Sequence, residues 1–157
     1  MLVKRQSSPG TPIRVAEYHG KFPSGSSSVG QARRAVVAFA QQWFSDDDLS
    51  DIESAVGEAL ANCVEHSNAA GSDVDLRCRF DGRELTVEIK DAGNGFDRWN
   101  ARDFAKPPAA APRGYGTYIM RRLMDEIEYT ERGTRVRLVK RRLPAQVADN
   151  GRGERFA

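Results

Sequence analysis

The sequence predicts an α+β fold, a two-layer α/β sandwich in which helices cover one face of a mostly antiparallel sheet. Three observations predict it. Apolar residues recur at three- and four-residue spacing in two stretches before residue 66, they alternate strictly from Val74 onward, and a helix followed by a hairpin recurs after a proline-rich interruption. The 157 residues match the usual size of one domain, ~100–200 residues.

Residues 1–12, rich in Lys, Arg, Ser, Pro and Gly, have neither period and read as a flexible tail. An edge strand is expected over 13–22, ended by Pro23 and the serines of PSGSSS. A helix follows from Val29 to Phe44, with Ala32, Val36, Phe39, Ala40 and Trp43 on its inner face. The next helix is marked by Ser50 and Glu53, spaced as a capping box, with Ser45 a rival cap one turn earlier; Asp46, Asp47, Asp48 and Asp51 suit the positive end of its dipole. Its buried stripe is Ile52, Ala55, Val56, Ala59, Leu60 and Cys63.

From Val74 the period is two. Val74, Leu76, Cys78 and Phe80 alternate with Asp75, Arg77 and Arg79, Asp81-Gly82 signals a type I′ turn, and Leu85, Val87 and Ile89 alternate in the return strand. Pro107, Pro108 and Pro112 exclude a regular element over 97–113. A third helix is expected from Gly116 to Glu126 and a second hairpin after it, turning at Arg132-Gly133. Residues 143–157 read as a second tail, leaving 13–142 as the domain.

Composition excludes several function classes. No stretch approaches the ~20 apolar residues of a membrane helix, and the amino end lacks the apolar core of a secretory signal, so a cytoplasmic location is expected, without a membrane partner. Cys63 and Cys78 stand apart from any C-x-x-C or His at ligand spacing, which excludes a disulfide framework and a thiolate zinc site; both read as reduced core residues. A net charge of +2, from 24 basic and 22 acidic residues, is too small for the footprint of a nucleic-acid binder.

Three motifs put polar residues or glycines where the pattern does not require them. Glu58, Asn62 and His66 are four apart in GEALANCVEH and so share one helix face, either a solvated stripe or a site. In DAGNGF, Asp91 follows a strand end and can accept a hydrogen bond from an amine, while Gly93 and Gly95 permit a tight turn or a close ligand. In RGYGTY, Gly114 and Gly116 open a helix whose free amides favour phosphate oxygens. Neither a P-loop nor a Rossmann glycine pattern is present.

In this order the motifs resemble those of the Bergerat-fold (GHKL) ATP-binding superfamily, over roughly residues 13–142. GEALANCVEH is similar to its N box, DAGNGF to its first glycine box, RGYGTYIMRRLMDEIEY to its second, and 97–113 to its ATP lid. FPSGSSSVGQARRAV, LMDEIEY and GTRVRLVKRR bring it nearest to the anti-sigma-factor serine/threonine kinases. Tyr115 and Thr117 depart from the family, where a small, basic or aliphatic residue and then Leu are commoner.

The resemblance implies ATP and Mg²⁺ as cofactors. It implies Asn62 as the metal ligand, Glu58 as the general base and Asp91 as acceptor of the adenine amino group. Gly93 and Gly95 would shape the adenine pocket, Gly114 and Gly116 admit the phosphates, and Thr134 line the pocket. His66 and Arg113 are each a phosphate contact or a solvated side chain, and Lys106 is a weaker lid candidate. The implied partners are an anti-sigma antagonist of the STAS type as substrate, a sigma factor, and a second copy in a homodimer. Two alternatives are a nucleotide-binding partner-switch module without transfer and a stand-alone ATPase domain of histidine-kinase type.

Overall fold

Strict alternation of apolar and charged side chains builds a sheet with one dry and one wet face. In the computed structural model, which describes residues 15–66, 73–92 and 115–144, the strands are β1 (Ala16–Pro23), β2 (Asp73–Phe80), β3 (Glu84–Lys90), β4 (Glu126–Thr130) and β5 (Arg135–Arg141). They form one sheet in the order β1-β2-β3-β5-β4, every neighbouring pair antiparallel. The register sets Cys78 opposite Val87 and Val87 opposite Leu138, so the apolar rows align across the three central strands.

Helices α1 (Ser26–Ala40), α2 (Asp46–His66) and α3 (Tyr115–Leu123) supply the second layer. Val36, Ile52, Val56, Leu76, Val87 and Leu138 are fully buried between the layers. Trp43 stacks on Phe80 with ring centroids 4.3 Å apart, and Phe44 meets the same ring edge-on at 5.8 Å. The opposite sheet face is an ion-paired lattice: Asp75 with His19 and Arg77, Glu88 with Arg135, Glu131 with Lys90. No helix among the described residues is long and apolar enough to cross a membrane.

Several expectations are corrected at the element ends. α1 begins at Ser26, inside the serine run read as a terminator, and stops at Ala40, leaving Trp43 and Phe44 in a following turn. The helix opens from Gly25 without a side-chain cap, the Ser28 amide donating to Gly25 O at 3.1 Å, so the serines form its first turn rather than a break. α2 starts one turn earlier than the capping box suggests: the Asp48 amide donates to Ser45 Oγ at 3.2 Å, and the rival cap is the one used.

In the first hairpin the left-handed residue is Gly82, φ 96°, between Asp81 and Glu84. A positive φ at this first central position is the type II′ pattern, in place of type I′. Asp81 Oδ1 receives the amides of Arg83 and Glu84, both at 2.9 Å, and secures the turn. α3 ends at Leu123 and β4 begins at Glu126, so of the residues read as its last turn Met124 and Asp125 form a bend and Glu126 is already strand. The second turn is wider than Arg132-Gly133, with Glu131, Arg132 and Gly133 all at positive φ. Residues 1–12, the proline-rich stretch 97–113 and the carboxyl end after residue 144 lie outside the described residues.

Candidate functional site

Two carboxyl-terminal turns of α2 carry the first part of the site. Glu58 and Asn62 stand one turn apart on the face that meets α3, both half-buried. α3 approaches this face through Gly116: a Cβ built there would lie 2.7 Å from Glu58 Oε2 and 3.8 Å from Asn62 Oδ1. The absence of a side chain lets the start of α3 come so close without displacing the Glu58 carboxylate. The first turn of α3 has no acidic residue, and Arg121 and Arg122 end it, so its dipole favours an anion at the end beside Glu58 and Asn62.

Glu58 has no hydrogen bond or ion pair among the described residues. Asn62 Nδ2 donates to the hydroxyl of Tyr129 in β4, 3.4 Å away. Burial pushes the Tyr129 hydroxyl up to about 12, the Asn62 contact working against that shift and Cys63 with it.

The second part of the site lies where β3 ends. Asp91 is 8% exposed, and its amide donates to Thr134 O at 2.9 Å, joining the end of β3 to the residue before β5. Thr134 Oγ1 donates in turn to Glu131 O at 2.8 Å. Cys63 reaches Asp91 from α2. Burial first, then the Asp91 charge and a hydrogen bond to it, raise the thiol far above its ordinary value, so it stays protonated and donates to the carboxylate. α2 thus meets both halves, through Asn62 and through Cys63.

Glu58, Asn62 and Gly116 are brought to one spot, and Asp91 and Thr134 to a second, which α2 meets through Cys63. His66 closes α2, but its side chain lies outside the described residues, as do Gly93, Gly95, Lys106, Arg113 and Gly114. Tyr129 and Cys63 were missed as site residues, because each fits the core pattern of its element. A signal existed for Tyr129: alternation in β4 turns it inward, and a buried tyrosine hydroxyl needs a polar partner.

A concavity among the described residues opens on the wet sheet face and has Asp91 and Ala92 in its lining. It measures about 450 Å³ between Lys21, Asp75, Arg77, Glu88, Lys90 and Arg135. Most of these charges already pair with one another or with neighbours, so its charged part is a set of solvent-facing ion pairs.

Comparison with known proteins gives a consistent result. The family model for the histidine kinase-like ATPase domain matches residues 22–140. An anti-sigma F factor from Thermoanaerobacter sp. (strain X514) is 32% identical over 131 residues, covering 76% of this chain and 89% of that protein. The serine-protein kinase RsbW of Bacillus licheniformis is 30% identical over 125 residues, covering 73% and 78%. Among solved structures, the RsbU and RsbW domains of a Mycobacterium tuberculosis protein superpose with a TM-score of 0.56 at 16% identity, over 83% of this chain and 34% of that one. That likeness is one of fold.

Proposed function

Because the chain belongs to the histidine kinase-like ATPase family, on its anti-sigma kinase branch, we propose that it is an ATP- and Mg²⁺-dependent serine/threonine protein kinase. Its substrate is an anti-sigma antagonist of the STAS type, and in an alternative complex it holds a sigma factor, as a homodimer in the cytoplasm. The observation that carries the reading is the convergence of Glu58 and Asn62 on the glycine-opened start of α3.

The residues fit the cofactors. Asn62 Oδ1 is a hard oxygen donor of the kind Mg²⁺ takes, the Glu58 carboxylate stands beside it as a proton acceptor, and the missing Cβ of Gly116 leaves room against them for phosphate oxygens. When bound, Mg²⁺ neutralises charge on the transferring phosphoryl oxygens. Asn62 holds the metal, the α3 amides and Gly114 receive the phosphates, and Asp91 accepts the adenine amino group beside Thr134, with Gly93 and Gly95 shaping that pocket.

Glu58 is the general base. It takes the proton of the substrate hydroxyl as that oxygen forms its bond to the γ-phosphorus. The bond from phosphorus to the β–γ bridging oxygen breaks, and ADP leaves with the electron pair. One helix holds base and metal ligand at fixed separation, so the entropy of aligning them is met by folding. His66 and Arg113 add positive charge for the phosphates.

The test is transfer from γ-labelled ATP with Mg²⁺ to a lysate of the source cells. The reading expects one small protein labelled on serine or threonine. Tight nucleotide binding without any labelled protein would favour a binding module that works by partner exchange alone. An acid-labile, alkali-stable label would favour the histidine-kinase type of chemistry.

A further inference from the structure

An asparagine amide can be held in two orientations related by a half turn, and they are electrostatically opposite. One offers its oxygen to a given point and the other its NH₂ group. At Asn62 the choice matters, because a cation and its phosphates need the oxygen on the side of Glu58 and Gly116. Left to α2 alone, Nδ2 would be drawn to the Glu58 carboxylate one turn earlier, since an amide N–H beside a carboxylate at four-residue spacing is favourable. That would turn Oδ1 away.

The observed orientation is the other one. Nδ2 donates to the Tyr129 hydroxyl at 3.4 Å, and Oδ1 lies on the α3 side, 3.8 Å from where a Gly116 Cβ would be. Tyr129 can hold this choice because its side chain is buried in the main core while its hydroxyl meets Asn62 on α2. β4 is fixed in turn by its pairing with β5, where Tyr129 lies opposite Val136.

We propose that Tyr129 is a positioning residue: its hydroxyl receives Asn62 Nδ2 and so presents Asn62 Oδ1 toward Glu58 and the start of α3. The inference rests on the nucleotide-binding reading of the same site.

The test is calorimetric titration of the whole chain with ATP, once with Mg²⁺ and once with the metal chelated. The quantity read is the factor by which Mg²⁺ tightens ATP binding. In Tyr129→Phe, which keeps the ring and removes the oxygen, this factor falls about three- to tenfold, the worth of one ordered hydrogen bond. Metal-free ATP binding, carried by the Asp91 end, stays within about twofold on the same scale. Asn62→Ala loses the factor, and adding Tyr129→Phe to it changes nothing more.

An unchanged factor in Tyr129→Phe overturns the inference while leaving nucleotide binding intact. An equal loss with and without metal also overturns it, because that is a packing defect. If the unaltered chain binds ATP no better with Mg²⁺ than without, the Mg²⁺-dependent reading of the site falls, and the role of Tyr129 with it.

Discussion

A Cβ placed on Gly116 would stand 2.7 Å from Glu58 Oε2, closer than real Cβ contacts occur. The start of α3 and the base of the proposed transfer therefore share a space in which one methyl group does not fit. The obstructing atom is the far end of a flexible side chain, so Gly116→Ala moves Glu58 rather than unfolding α3. Alanine also favours a helix over glycine by about 1 kcal/mol. Gly116→Ala is expected to retain or raise the melting temperature while phosphoryl transfer falls about tenfold or more, as a displaced base loses its geometry. Thermal melts and transfer rates on the same preparation check both halves.

Two serines compete to start α2, and stability measurements tell them apart. Ser45 Oγ receives the Asp48 amide, whereas Ser50 is an exposed residue inside the helix. Ser45→Ala is expected to cost about 1 kcal/mol in urea unfolding, the usual loss of a cap. Ser50→Ala is expected to stay within about 0.5 kcal/mol, as surface changes do.

Alkaline pH isolates Tyr129. An exposed tyrosine ionises near pH ~10, whereas burial pushes this one up to about 12, with the Asn62 hydrogen bond opposing and Cys63 adding to the shift. Its pKa is higher folded than unfolded, so its contribution to stability is complete below pH ~10 and is lost as pH rises toward the folded value. Tyr129 is expected to ionise late in a tyrosinate absorbance titration. Tyr129→Phe removes that late step and flattens the alkaline loss of stability.

The turn before β5 holds Arg132 at φ 58°, beside Glu131 at 52°. A left-handed conformation costs a residue with a Cβ about 1–2 kcal/mol, which glycine escapes. Arg132→Gly is expected to be neutral or stabilising by up to about 1 kcal/mol once the extra chain entropy of glycine is set against that relief. Arg132→Val is expected to destabilise by about 1–2 kcal/mol, since a branched side chain crowds this region most. Urea midpoints of the two variants check the sign of each.

Much of this was legible in the sequence because period is a local property. The change from a helical to a two-residue repeat at Val74 marks where the helical layer gives way to the sheet, and the inward rows of β2, β3 and β5 follow from alternation alone. Helix starts were less legible. Ser45 and Ser50 each precede an acidic residue by three positions, and Asp46, Asp47 and Asp48 suit either start.

The II′ turn was missed because an Asp-Gly pair does not say whether glycine is the first or the second central residue. Glu58 and Asn62 were legible as one helix face, whereas their meeting with Gly116 is a product of tertiary packing. The partners Asn62 and Tyr129 are 67 residues apart, and only the tertiary fold joins them. Cys63 was legible as buried, but its contact with Asp91 is likewise a product of tertiary packing.

The measurement that bears most directly on the central claim compares the chain with its Glu58→Gln variant, reading both Mg²⁺-ATP affinity and transfer of labelled phosphate to the protein substrate. The amide is close in size to the carboxylate and cannot take a proton. The account predicts affinity within about threefold and transfer lowered by about 10²–10⁴, the usual worth of a general base. Transfer in Glu58→Gln at the rate of the unaltered chain would contradict the account.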